Sequence, residues 1–277
     1  MGKKMKNAPV YFVLAQVRFN TVLALDQFIP TIQDSLRRVG FPDFQKTFLT
    51  AISLNFAAKA AAEQSQQPIS AVGAPQARYM FMDEGRTIGF VLDPSFMVLQ
   101  TTHYDTYEPF LAMFLQGLEI VHKAVELSFF ERLGVRFLDA VLPGAGESVT
   151  QYLEPSVIGL VGKLPDRELT HSVSETRTHV GKSALMSRAV IYKQPAGALD
   201  TNVAFPPDMA ADPLRLMDKF TKVKEGEMYA VIDTDSWHEE REKFDLVSIR
   251  RHFIQLHEDL RRSFDLMVTP YALKIWG

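Results

Sequence analysis

The fold class that this sequence predicts is α+β, in two halves, each an antiparallel strand meander followed by a long amphipathic helix. Three observations carry that reading. Runs of β-branched and aromatic residues follow one another across short turns. Two long segments place apolar residues at helical spacing. Strands and helices are grouped, rather than alternating one by one as in a parallel sheet.

The elements follow in order. Val10–Phe19 (VYFVLAQVRF) has the composition of a buried strand. Leu25–Val39 is a helix. Leu25, Phe28, Ile32, Leu36 and Val39 share a face, Asp26 lies in the first turn and Gly40 sits past the end. Gln45–Phe56 alternates as a strand. Ala57–Ala77 is rich in Ala, Gln and Ser and broken by Pro68 and Pro75. It reads as a long loop with at most one helical turn, an uncommon length; it is a candidate mobile element, and a surface insertion is the simpler reading. Ala77–Met82 and Thr87–Leu92 form a hairpin around Asp83-Glu84-Gly85-Arg86, where Gly85 is expected to supply the positive φ. Asp93-Pro94 turns into a strand, Phe96–His103. Tyr107–Leu127 is a long helix with Leu111, Phe114, Leu118, Val121 and Val125 in line. Phe130–Val141 is the next strand.

Pro143-Gly144-Ala145-Gly146 breaks the chain and sets the domain reading. Residues 1–142 form an N-terminal half, 143–166 a connection with a short helix over Gln151–Leu160, and 167–277 a C-terminal half. In the latter, Glu168–Val180 and Ala184–Lys193 pair around Gly181-Lys182. Pro195–Pro213 is a proline-rich loop and Met228–Asp235 a strand. Phe244–Met267 is the clearest helix. Leu246, Ile249, Phe253, Leu256, Leu260, Phe264 and Met267 step by three or four, with Arg250, Arg251, Glu258, Asp259, Arg261 and Arg262 on its other faces. Thr269-Pro270 stops it.

Composition narrows the function classes. Among 277 residues, 30 Lys and Arg stand against 33 Asp and Glu, a net charge of −3. That excludes a disordered tail and a strongly basic nucleic-acid binder. With no cysteine, disulfides, thiolate zinc sites, iron–sulfur clusters and cysteine nucleophiles are excluded, and a cytoplasmic location is expected. No window of about 18 uncharged apolar residues reads as a membrane span. After Met1–Lys6, Asn7 and Pro9 interrupt what a signal peptide would continue as apolar.

Asp233, Asp235 and His238 are the most chemical-looking group. On a strand the two carboxylates share a face, and with the imidazole they could hold a divalent cation or act as acid and base. The competing reading is a strand end whose carboxylates pair with Arg241 or Lys243. His171, Glu175, Arg177 and His179 alternate along one polar strand face, a candidate interaction face whose simplest reading is solvation. His179-Val180-Gly181-Lys182-Ser183 ends like a phosphate loop, but Thr176 occupies the position of its first glycine, so it reads as a β-turn. His252 and His257 diverge on a helix. The arginine pairs of the last helix alternate with acids and read as a solvated face. No HExxH, GxSxG or GxGxxG motif occurs. No metal is asserted, the cofactor is unknown and none is strongly implied.

Three segments carry a resemblance. Asn7–Phe19 (NAPVYFVLAQVRF), Leu133–Leu138 (LGVRFL) and Tyr229–Asp235 (YAVIDTD), the last followed by the amphipathic helix and Thr269–Trp276 (TPYALKIW), resemble in order and spacing the blocks of a sporadically distributed bacterial protein family. The resemblance spans nearly the whole chain. It implies no reaction and no catalytic residues, because that family has none assigned; its patchy distribution implies an accessory role.

The sequence therefore leans away from an enzyme. The expected function is a non-catalytic interaction or scaffold subunit of a bacterial accessory complex, binding another protein or itself, as the 20 Phe and 11 Met would allow. One alternative is a metal-assisted hydrolase or nuclease using Asp233, Asp235 and His238. Another is a nucleic-acid-associated subunit of a larger complex, although the charge does not indicate nucleic acid. No membrane partner is expected.

Overall fold

A computed structural model describes residues 5–49, 76–164, 166, 168–194, 201–205, 214–224 and 226–277. It is a mixed fold of helices around one antiparallel sheet of nine strands. The strands are β1 (Val10–Phe19), β2 (Asp43–Leu49), β3 (Gln76–Met82), β4 (Ile88–Leu92), β5 (Phe96–Thr101), β6 (Phe129–Val141), β7 (His171–Val180), β8 (Ser183–Lys193) and β9 (Met228–Lys243). Their order across the sheet is β2-β3-β4-β5-β1-β6-β9-β8-β7. β1 lies at the centre. β6 and β9, on opposite sides of residues 143–166, pair from Phe129↔Lys243 to Val141↔Ala230.

The helices are α1 (Leu25–Arg38), α2 (Tyr107–Val125), the short α3 (Val149–Tyr152) and α4 (Pro155–Ile158), α5 (Leu246–Met267) and α6 (Pro270–Trp276). Side chains alternate across the sheet, so each strand feeds two cores. On one face Val13, Ala15, Val17, Leu133 and Val135 pack with α1, α2 and α5. The same face continues over β8 and β9, where Ala189, Ile191, Ala230 and Ile232 meet α3, the end of α5 and α6. On the other face, Phe12, Leu138, Ala140 and Val231 are covered by Val203, Leu216, Phe220 and Val223.

The apolar stripes of the two long helices are where their spacing placed them. Leu111, Phe114, Leu118 and Val121 of α2 are buried, as are Ile249, Phe253, Leu256, Leu260 and Met267 of α5. Asp245 caps α5, accepting a hydrogen bond from the Ser248 amide at 2.8 Å. Thr269 stops α5 and also caps α6, with Pro270 in its first turn.

Several expectations need correction. In the Asp83–Arg86 turn, Arg86 and not Gly85 takes the positive φ, at 52°. The Asp83 carboxylate accepts from the amides of Thr87 and Ile88 and holds that turn without help from the glycine. The short helix expected over Gln151–Leu160 is two single-turn helices, parted at Leu153, whose bridge to Val268 ties the connection to the end of α5. β9 continues eight residues past Asp235, because its charged end is paired with β6 and β8. Most of the expected Ala57–Ala77 loop, the last residues of the expected Gln45–Phe56 strand, and much of Pro195–Pro213 lie outside the described residues.

Candidate functional site

Asp233 lies in mid-strand, fully buried, on the face away from the helices. Arg136 of β6 grips it two-handed: Nε and Nη2 donate to its two oxygens at 2.8 Å each. Arg188 of β8 donates through Nε to Oδ2 at 3.0 Å. These partners replace the expected Arg241 or Lys243; the Arg241 guanidinium instead stacks on Phe129. Asp235 follows on the same face, opposite Arg136 and Met186 in the ladder. His238 points to the helical face. The sheet backbone thus separates it from both aspartates, and no cation can take ligands from all three.

His238 has different company. Its Nε2 lies 3.0 Å from Glu242 Oε1, and His252 Nε2 of α5 lies 3.1 Å from the same oxygen. The two imidazoles stack at 4.2 Å. Ser183 Oγ sits 3.2 Å from His238 Nδ1, and Ser248 donates to the second Glu242 oxygen at 3.4 Å. Burial works to raise the Glu242 pKa, but hydrogen bonds from His238 and the neighbouring His252 outweigh it and hold the group below the usual value. The three donor atoms lie within 4.8 Å of one another. Two imidazoles and a carboxylate are the donor set of many divalent-metal sites, and the serines supply the outer hydrogen bonds such ligands use. Among the described residues these are the ones grouped closely enough to hold a metal.

A cleft of about 680 Å³ opens on the helical face between the start of α2, α5 and β6. Asp139 forms its floor, 6% exposed. Burial raises its carboxyl to about 7. Tyr104 and Phe137 meet edge to face beside it, centroids 5.2 Å apart. His257 lies flat against Tyr107 at 3.7 Å, and burial depresses its pKa to about 4. Sequence reading passed over Asp139. The available signal was a charged residue inside the otherwise apolar run Phe137–Val141, which a central strand tolerates only with a purpose.

On the opposite, open face, Arg18, Arg78 and Arg132 line a pocket of about 480 Å³ with Gln16 and Phe96. Arg132 donates to Gln16 at 2.7 Å and lies over the Trp237 ring. Among the described residues Arg78 Nε is buried without a hydrogen-bond partner.

β7 forms one edge of the sheet. His171, Glu175, Arg177 and His179 are all exposed, and beyond Ser174 every residue is exposed on both faces. Arg177 Nε reaches Glu175 at 2.8 Å, and Arg188 Nη1 lies 3.6 Å from the same carboxylate. Gly181, φ 58°, makes the turn into β8, so the phosphate-loop-like stretch is a hairpin tip. Among the described residues no helix is long and apolar enough to cross a membrane. Comparison of the chain with protein-family models and with curated proteins found no match.

Proposed function

We propose that the chain is a non-catalytic interaction subunit that assembles with a second copy of itself through β7. The observation that carries this reading is the edge itself. Among the described residues nothing pairs with the outer edge of this ten-residue strand, and six of the ten, Glu175–Val180, have no cover on either face. Its charges are self-complementary. In an antiparallel pair centred on Thr176, Glu175 of one copy faces Arg177 of the other, twice by symmetry. Opposite charges directly across a ladder contribute about 0.2–1 kcal/mol each, and like charges cost similar amounts.

The two-half plan belongs to this reading, since β7 would join copies through the C-terminal half. So do the family resemblance, the accessory role in a bacterial complex and the cytoplasmic location. Sedimentation velocity over a concentration series tests it. We expect a dimer that Arg177→Glu weakens about tenfold and that the double exchange Glu175→Arg with Arg177→Glu restores. A chain that stays monomeric throughout, or a dimer indifferent to Arg177→Glu, refutes the proposal.

A second reading keeps the nucleic-acid partner. It is favoured by the three arginines of the open face together with the Phe96 and Trp237 rings, because single strands are bound by cations alternating with stacking platforms. Anisotropy with a labelled oligonucleotide at low salt tests it. Binding that weakens with salt and is lost in Arg132→Gln supports this reading; no binding at low salt removes it.

A further inference from the structure

The cleft beneath α5 is built on a carboxyl group that the fold leaves without a partner. Asp139 is more than nine-tenths buried, yet among the described residues no hydrogen bond or ion pair reaches its side chain. A buried carboxylate is ordinarily paired, because transfer out of water without compensation is costly. Here the group faces a cleft of about 680 Å³ on the helical face instead of a neighbouring residue.

What surrounds Asp139 limits what can complete it. The walls are rings: Tyr104 and Phe137 at 83° to one another, and His257, whose centroid lies 5.8 Å from that of Phe137. His257 titrates near 4, so it is neutral at physiological pH and offers Asp139 no counter-charge. Among the described residues, the rim adds the carboxylates of Asp105, Glu108 and Asp265 against one guanidinium, Arg261, which lies 3.9 Å from Asp265. An anion would meet an excess of like charge. An apolar neutral molecule would fill the walls and leave Asp139 unpaired. A cation carried on carbon satisfies both parts, since ring faces attract cations and an ammonium N–H makes a charge-assisted bond to a carboxylate.

We propose that this cleft binds a small organic ammonium ion with an apolar body, its nitrogen on Asp139 and its body between Tyr104, Phe137 and His257. The size of the cleft suits a compact molecule of this kind. The site is distinct from the β7 edge and does not rest on the assembly reading.

Calorimetry with the full chain tests the proposal, using benzylamine and 2-phenylethylamine as probes, with 2-phenylethanol and 3-phenylpropionate as neutral and anionic controls of similar body. We expect at least one amine to bind, the alcohol to bind about tenfold or more weakly, and the carboxylate not to bind. Asp139→Asn keeps the shape of the side chain and removes its charge. It should weaken the amine about tenfold or more while leaving the circular dichroism unchanged. Tyr104→Ala should weaken both amine and alcohol, and the amine somewhat more, because it removes wall and with it a ring face that attracts the cation. Amines that fail to bind at millimolar concentration, an alcohol as tight as the amine, or amine binding unchanged in Asp139→Asn would each overturn the proposal.

Discussion

Asp233 is shared by two guanidinium groups that the sheet has already taken out of water: the Arg136 and Arg188 side chains are only 8% and 15% exposed. Removing the carboxylate strips Arg136 of its two-handed partner and leaves Arg188 with the more distant Glu175 at 3.6 Å. Asp233→Ala should therefore cost about 3–5 kcal/mol in urea unfolding, the usual penalty for breaking a buried ion pair on one side. A loss below about 1 kcal/mol, the range of exposed pairs, would mean that the arginines find water instead. Asp139 is the opposite case, a lone buried acid. Its folded value of about 7 stands above the ordinary 3.8, so the folded chain holds a proton that the unfolded chain has released. The sign follows from linkage. Stability from this group is fully present below about pH 4 and is lost as pH rises through 7. Asp139→Asn should match the parent near pH 4 and exceed it at about pH 8 by something of the order of 2–4 kcal/mol. A stability difference that does not grow with pH would show that Asp139 ionises freely in the fold.

At the scale of elements, α2 is held by close approach as much as by its stripe. A Cβ built on Gly117 would sit 2.3 Å from Phe90 Cζ of β4, and Phe90 is itself locked edge-on against Phe41. Gly117→Ala should lower the denaturant midpoint, costing about 1–3 kcal/mol by overpacking despite the better helix propensity of alanine. A gain in stability would show that the ring swings aside. That contact joins residues far apart in sequence, and it marks what sequence reading can reach. The helices α2 and α5 were legible because each buries one stripe at regular spacing. The eight residues Ser236–Lys243 were not, because their charges suggest solvent; their strand conformation comes from ladder partners on β6 and β8. His171, Glu175, Arg177 and His179 of β7 are exposed, but so is every other residue beyond Ser174, so alternation does not pick out one face there. The parity of β9 put Asp233 with Asp235, but it also placed His238 on the other side. His252, five residues from His257 and rightly separated from it, meets His238 only because α5 folds back along β9. No spacing rule contains that contact, nor the one that lays His257 against Tyr107.

For the whole molecule the governing fact is that the sheet does not stop where the sequence breaks. Proline and glycine at residues 143–146 separate β6 from everything that follows, yet β6 and β9 share the longest ladder in the fold. α5, from the later part of the chain, packs on α2 and β6 from the earlier part. Opening one side would strip β6 of its ladder to β9 and expose Ile249, Phe253, Leu256 and Leu260 together. Neither group of strands has a complete core without the other, so we expect one cooperative unfolding transition. The two tryptophans, Trp237 in β9 and Trp276 in α6, report only on the later part of the chain. Far-ultraviolet circular dichroism reports on all of it. Fluorescence and circular dichroism should give superimposable urea curves with one midpoint. If fluorescence changes first and a helical plateau from α1 and α2 persists, the halves fold independently, and the β6–β9 ladder is an interface between domains. Native-state hydrogen exchange separates the two outcomes by a second route: in a single unit the most protected amides of β1 and β8 open with the same free energy, whereas in two units those of β8 open first.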